Sequence, residues 1–93
     1  MIQCSPAVAA TLAATKRLVE ALNANGLGLR YSIAHVPHWL QVNVHEAGHV
    51  SVAFFIGKSS GLVYAADGYR RGDRIGLVSK LADDAAAEIA RAS

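Results

Sequence analysis

His45-Glu46-Ala47-Gly48-His49 places two imidazoles four positions apart with a carboxylate between them. On a helix that spacing sets both rings on one side, about one turn apart. There they could hold Zn²⁺ while the glutamate acts as general base on a metal-bound water. The chemistry implied is zinc-assisted hydrolysis, and it requires the surrounding residues to be helical. In strands the side chains alternate, and the same five residues become a turn.

The flanking residues follow a period of two. Leu40, Val42 and Val44 alternate with Gln41, Asn43 and His45, and Val50, Val52, Phe54 and Ile56 alternate with Ser51, Ala53 and Phe55. The valines, Ile56, Asn43 and Gly48 are all weaker helix formers than alanine, glycine by about 1 kcal/mol. We therefore expect two strands joined by a three-residue loop, Glu46-Ala47-Gly48, with Gly48 left-handed. Counting outward, His45 pairs with His49, Val44 with Val50, Asn43 with Ser51, Val42 with Val52, Gln41 with Ala53 and Leu40 with Phe54. Leu40, Val42, Val44, Val50, Val52 and Phe54 then face the core. Trp39, Gln41, Asn43, His45, His49, Ser51 and Phe55 form the opposite face, with aromatics at one end and hydrogen-bonding groups at the other. A face of that composition suits recognition of protein or single-stranded nucleic acid.

HEAGH with the VAFFIG that follows resembles, over about fifteen residues, the zinc site of FtsH-type ATP-dependent metallopeptidases. The resemblance implies zinc as cofactor, His45 and His49 as ligands, Glu46 as general base and a third, acidic ligand further downstream. Leu40, Val44, Ala47 and Phe54 also lie at helix-like intervals. No motif singles out Asp67, Asp73, Asp83, Asp84 or Glu88 as the third ligand. The hairpin accounts better for the residues on both sides, so we expect no catalytic residue and no cofactor, with the zinc site as the alternative.

The remaining elements read from caps and periodicity. Ser5-Pro6 is an N-cap followed by proline at the first helical position, and Asn25-Gly26 is a stop, so a first helix is expected over 6–25 with Val8, Leu12, Val19 and Leu22 on its apolar side. Leu29, Tyr31 and Ile33 alternate with Arg30, Ser32 and Ala34 as a first strand, ended by Pro37. Leu62 to Ala66 reads as a fourth strand followed by an Asp67-Gly68 turn, and Ile75 to Val78 as either a short fifth strand or loop. Leu81, Ala82, Ala85, Ile89 and Ala92 share one side of a second helix over 80–92, with Asp83 and Asp84 in its first turn.

The fold class expected is α+β, in the order α-β-β-β-β-α, an antiparallel sheet of four or five strands with two helices packed on one face. That order, with the ending SKLADDAAAEIARA, is similar in outline to the double-stranded RNA-binding domain. Where that family presents a basic cluster at the start of its last helix, this chain has Asp83 and Asp84 after Lys80.

Ninety-three residues suffice for one domain, 1–93. Nine Lys and Arg against seven Asp and Glu neither require nor exclude nucleic acid, although Arg70, Arg71 and Arg74 form a local basic loop. The lone Cys4 suits a reducing compartment, and the N-terminus lacks the early charge and unbroken apolar run of a signal peptide. With no span apolar enough for a membrane, a cytoplasmic location is expected. The function expected is non-enzymatic binding of a protein partner through the sheet face, an unpaired sheet edge or a homodimer interface. A compact, motif-poor chain of this kind fits a phage or mobile-element accessory protein that inhibits a bacterial defence complex. A nucleic-acid-binding module is the alternative.

Overall fold

A computed structural model describes residues 5–24, 29–66 and 74–92. The element order is α1 (Pro6–Asn23), β1 (Arg30–Val36), β2 (Trp39–Glu46), β3 (His49–Gly57), β4 (Leu62–Ala65), β5 (Arg74–Leu77) and α2 (Val78–Ala92). The strands form one antiparallel sheet in the order β1-β2-β3-β4-β5, so each strand pairs with its neighbours in sequence. This is the expected α+β architecture with the fifth strand present.

α1 begins as the sequence indicates: the Ser5 hydroxyl accepts from Val8 N–H at 3.2 Å, with Pro6 following it. The buried side of α1 is rotated from the expected one. Thr11, Ala14, Thr15, Leu18 and Val19 are buried, while Leu12 and Leu22 pack at the margin. Threonines can sit there because each hydroxyl bonds back along the helix, Thr11 Oγ1 to the Ala7 carbonyl at 2.9 Å and Thr15 Oγ1 to the Thr11 carbonyl at 2.7 Å. A buried hydroxyl satisfied this way escapes most of its desolvation cost.

One core joins both helices to the same face of the sheet: Ala14, Leu18 and Val19 from α1, Leu40 and Val42 from β2, Ile56 from β3, Val63 from β4, and Val78 and Ala82 from α2. Leu40, Val42, Ile56 and Val63 are fully enclosed. Each such side chain contributes about 1.5–3 kcal/mol relative to exposure. α2 starts two residues earlier than its periodicity suggests, where Val78 N–H donates to the Gly61 carbonyl at 2.8 Å. Asp83 and Asp84 therefore lie beyond the first turn, and Asp83 pairs instead with Arg17 of α1 at 2.8 Å across an exposed helix–helix seam.

Arg70, Arg71, the Asp67-Gly68 turn, Asn25-Gly26 and Cys4 lie outside the described residues. No helix among the described residues is long and apolar enough to cross a membrane.

Candidate functional site

His45 to His49 forms the tip of the β2–β3 hairpin, and the turn is tighter than its sequence suggests. Glu46 pairs with His49 around a two-residue loop, Ala47-Gly48, with φ of 48 and 85. Positive φ at both central residues is the type I′ arrangement, whose twist matches that of the flanking strands. Dropping one residue from the loop shifts the pairs near the tip, so that His45 faces Val50, Val44 faces Ser51 and Asn43 faces Val52. The register then shifts again between Val42 and Asn43, where Ala53 is the extra residue of a bulge. Below it Val42 faces Phe54, Gln41 faces Phe55, Leu40 faces Ile56 and Trp39 faces Gly57.

The two shifts decide which expected site residues share a face. At the base of the hairpin they cancel in parity, so Trp39, Gln41 and Phe55 lie on the side away from the helices, as expected. Near the tip only the first shift applies, which flips β3. Val50 and Val52 join Asn43 and His45 on the open side, while His49 and Ser51 turn to the other. Val50, expected in the core, is 60% exposed.

The zinc-helix alternative is overturned by the same geometry. Residues 39–46 and 49–57 are paired strands, and His45 and His49 project to opposite faces of the hairpin. Two imidazoles so placed cannot converge on one ion as they would from a helix. Among the described residues no group of three potential ligands is assembled.

What the open face assembles is an aromatic cluster at one end and polar side chains with one cross-strand hydrogen bond at the other. Trp39 meets Phe55 edge-on with ring centroids 6.3 Å apart, and Tyr64 of β4 edge-on at 5.4 Å. Gly57 makes the second contact reachable, because its bare Cα lies beneath the indole: a Cβ there would stand 3.9 Å from Trp39 Cζ3. Arg74 is opposite Tyr64 and so borders the cluster, the one basic-loop residue that the structure places. At the polar end Ser32 Oγ and His45 Nε2 are 2.8 Å apart, with Asn43 opposite Ser32 and Arg30 opposite His45.

Ser32, Val50, Val52 and Tyr64 also belong to this face, beyond the residues that the spacing assigns to it. Ser32 was legible in the alternation of β1. Tyr64 was not, because a four-residue strand carries too little pattern to fix its side. His35 and His38 stand apart near the β1–β2 turn, where Pro37 precedes His38 at φ 70, the proline position and positive φ of a type II turn.

In the hydrolase triads a serine–histidine contact is joined by a third group that orients the base and by donors for the oxyanion. Among the described residues no carboxylate bonds His45. The contact is a cross-strand hydrogen bond between β1 and β2 at the polar end of the face. Hollows among the described residues include one of about 250 Å³ between α1 and the β3–β4 turn, one of about 350 Å³ along the α1–α2 seam and one of about 340 Å³ lined by Val8, His38 and residues 57–60.

Fold and face together define an α+β domain with helices on one side of a five-stranded meander and an aromatic and polar surface on the other. No family model, curated protein or solved structure matches the chain.

Proposed function

We propose that this chain is a non-enzymatic binding module whose open sheet face engages a protein partner. The observation that carries this reading is the Trp39–Phe55–Tyr64 cluster. None of the three rings belongs to the core, which closes around aliphatic side chains on the other face. Large aromatics held edge to face on a surface are the usual anchors of a protein interface, and here the Ser32–His45 hydrogen bond holds polar groups on the same face. Val50 and Val52 extend apolar area toward the hairpin tip. A setting consistent with so small a chain is that of a phage or mobile-element accessory protein which blocks a bacterial defence complex by covering a surface.

One observation favours a second reading. Arg74 beside Tyr64 pairs a cation with a stacking surface, the combination that binds single-stranded nucleic acid. The two readings separate by experiment. The tagged chain, with Trp39→Ala and Tyr64→Ala variants, is used to capture proteins from bacterial lysate, and the pure chain is titrated with a fluorescent single-stranded oligonucleotide at several salt concentrations. Specific protein capture lost in both variants supports the first reading. Salt-dependent oligonucleotide binding weakened by Arg74→Ala, without protein capture, replaces it with the second.

A further inference from the structure

β1 is an edge strand whose outer side is closed at one position. The Asn23 side-chain oxygen accepts from Tyr31 N–H at 2.6 Å, and Asn23 Nδ2 donates to the Tyr31 carbonyl at 3.1 Å. Both backbone polar groups of Tyr31 thus point away from β2, as they do in a non-hydrogen-bonded antiparallel pair. The register with β2 runs without a break from Arg30 to Val36. By the two-residue period, Ile33 and His35 present their N–H and C=O on the same outer side, and Ser32 and Ala34 present theirs to β2. Among the described residues these four outward groups of Ile33 and His35 have no backbone or side-chain partner. The usual protections of an edge, a bulge, a lysine or a proline within the strand, are missing between Tyr31 and Val36.

We propose that this window pairs antiparallel with the same window of a second copy of the chain, about a two-fold axis through Ala34. Its limits select that occupant. Placing Ile33 opposite His35 of the second copy, and His35 opposite the second copy's Ile33, uses all four outward groups on each side, because residues of a hydrogen-bonded pair exchange both bonds. In this register Tyr31, whose N–H and C=O Asn23 already satisfies, falls opposite the second copy's Pro37, which has no N–H to offer. Ala34 falls opposite itself, so no bulky side chain stands on the axis. The pairing is isologous and closed, joins two five-stranded sheets into one, and sets two Trp39 clusters on a single continuous surface. A bivalent contact surface results.

The test is the mass of the pure 93-residue chain in solution by sedimentation equilibrium over a dilution series, which is independent of whether the sheet face binds another protein. The wild type is expected at twice the monomer mass at the concentrated end. His35→Pro removes an outward N–H without touching the β2 ladder, and Ala34→Lys sets two ammonium groups opposite each other on the axis. Both are expected to halve the mass while the circular dichroism spectrum stays native. If His35→Pro does not fold, Ala34→Lys decides. A wild type that stays monomeric throughout the series, or a dimer that persists in folded Ala34→Lys, overturns the proposal.

Discussion

Trp39 and Tyr64 meet edge to face, 5.4 Å between centroids and 82° between planes, although β3 lies between their strands. The contact is possible because the β3 residue opposite Trp39 is Gly57, over which the indole lies. A sheet face that gathers rings across three strands is built by the small residue between them as much as by the rings.

The same added Cβ would also meet Ser60, whose Oγ would lie 2.5 Å away. That hydroxyl accepts from Leu62 N–H at 3.2 Å. Gly57→Ala should therefore force Ser60 to rotate and release the bond, costing about 0.5–1.5 kcal/mol in urea unfolding. In a Ser60→Ala background, where the remaining Cβ is 3.7 Å away, the added cost of Gly57→Ala should shrink. Equal costs in both backgrounds would show that the two residues are not in conflict.

At the hairpin tip Ala47 holds φ 48, a left-handed conformation that costs an L-residue with a Cβ about 1 kcal/mol or more. Ala47→Asn, which creates the Asn-Gly pair favoured in type I′ turns, should stabilise the fold by about 0.5–1 kcal/mol. Thermal unfolding checks this, and a lowered midpoint would contradict the two-residue turn.

His45 and His49 should behave differently despite their symmetrical place in the motif. His45 shares a half-buried hydrogen bond with Ser32, and its replacement by alanine should cost about 0.5–1.5 kcal/mol. His49 is exposed beside the turn, and His49→Ala should stay within about 0.5 kcal/mol of the wild type. Calorimetric titration with zinc should show no tight site that both substitutions abolish. Equal losses of stability, or such a site, would restore the converging pair of imidazoles.

The sequence and the structure agree wherever a long period or a cap left little choice. Ser5-Pro6 starts α1, the alternation from Trp39 to His45 fixes β2, and Trp39, Gln41, Asn43, His45 and Phe55 share the open face as their spacing indicates. On the hairpin the differences trace to single-residue events. One residue fewer in the turn and one more at Ala53 moved Val50 and Val52 out of the core and turned His49 and Ser51 away from the open face. Neither event leaves a mark in composition, since Ala47 is an unusual occupant of a positive-φ position and Ala53 continues the apolar run. Thr11 and Thr15 carry no apolar signal in the sequence, yet their hydroxyls bond within the helix and leave their methyl groups to pack.

The central claim is that a protein partner sits on the open sheet face. A photoreactive benzoyl-phenylalanine at Gln41, between Ala34 and Phe55 on that face, tests it without disturbing the core. The same group at Lys16, exposed on α1, is the control. Irradiation in bacterial cells should give a discrete adduct of one protein from position 41 and none from position 16. Adducts only from position 16, or from neither, would contradict the account.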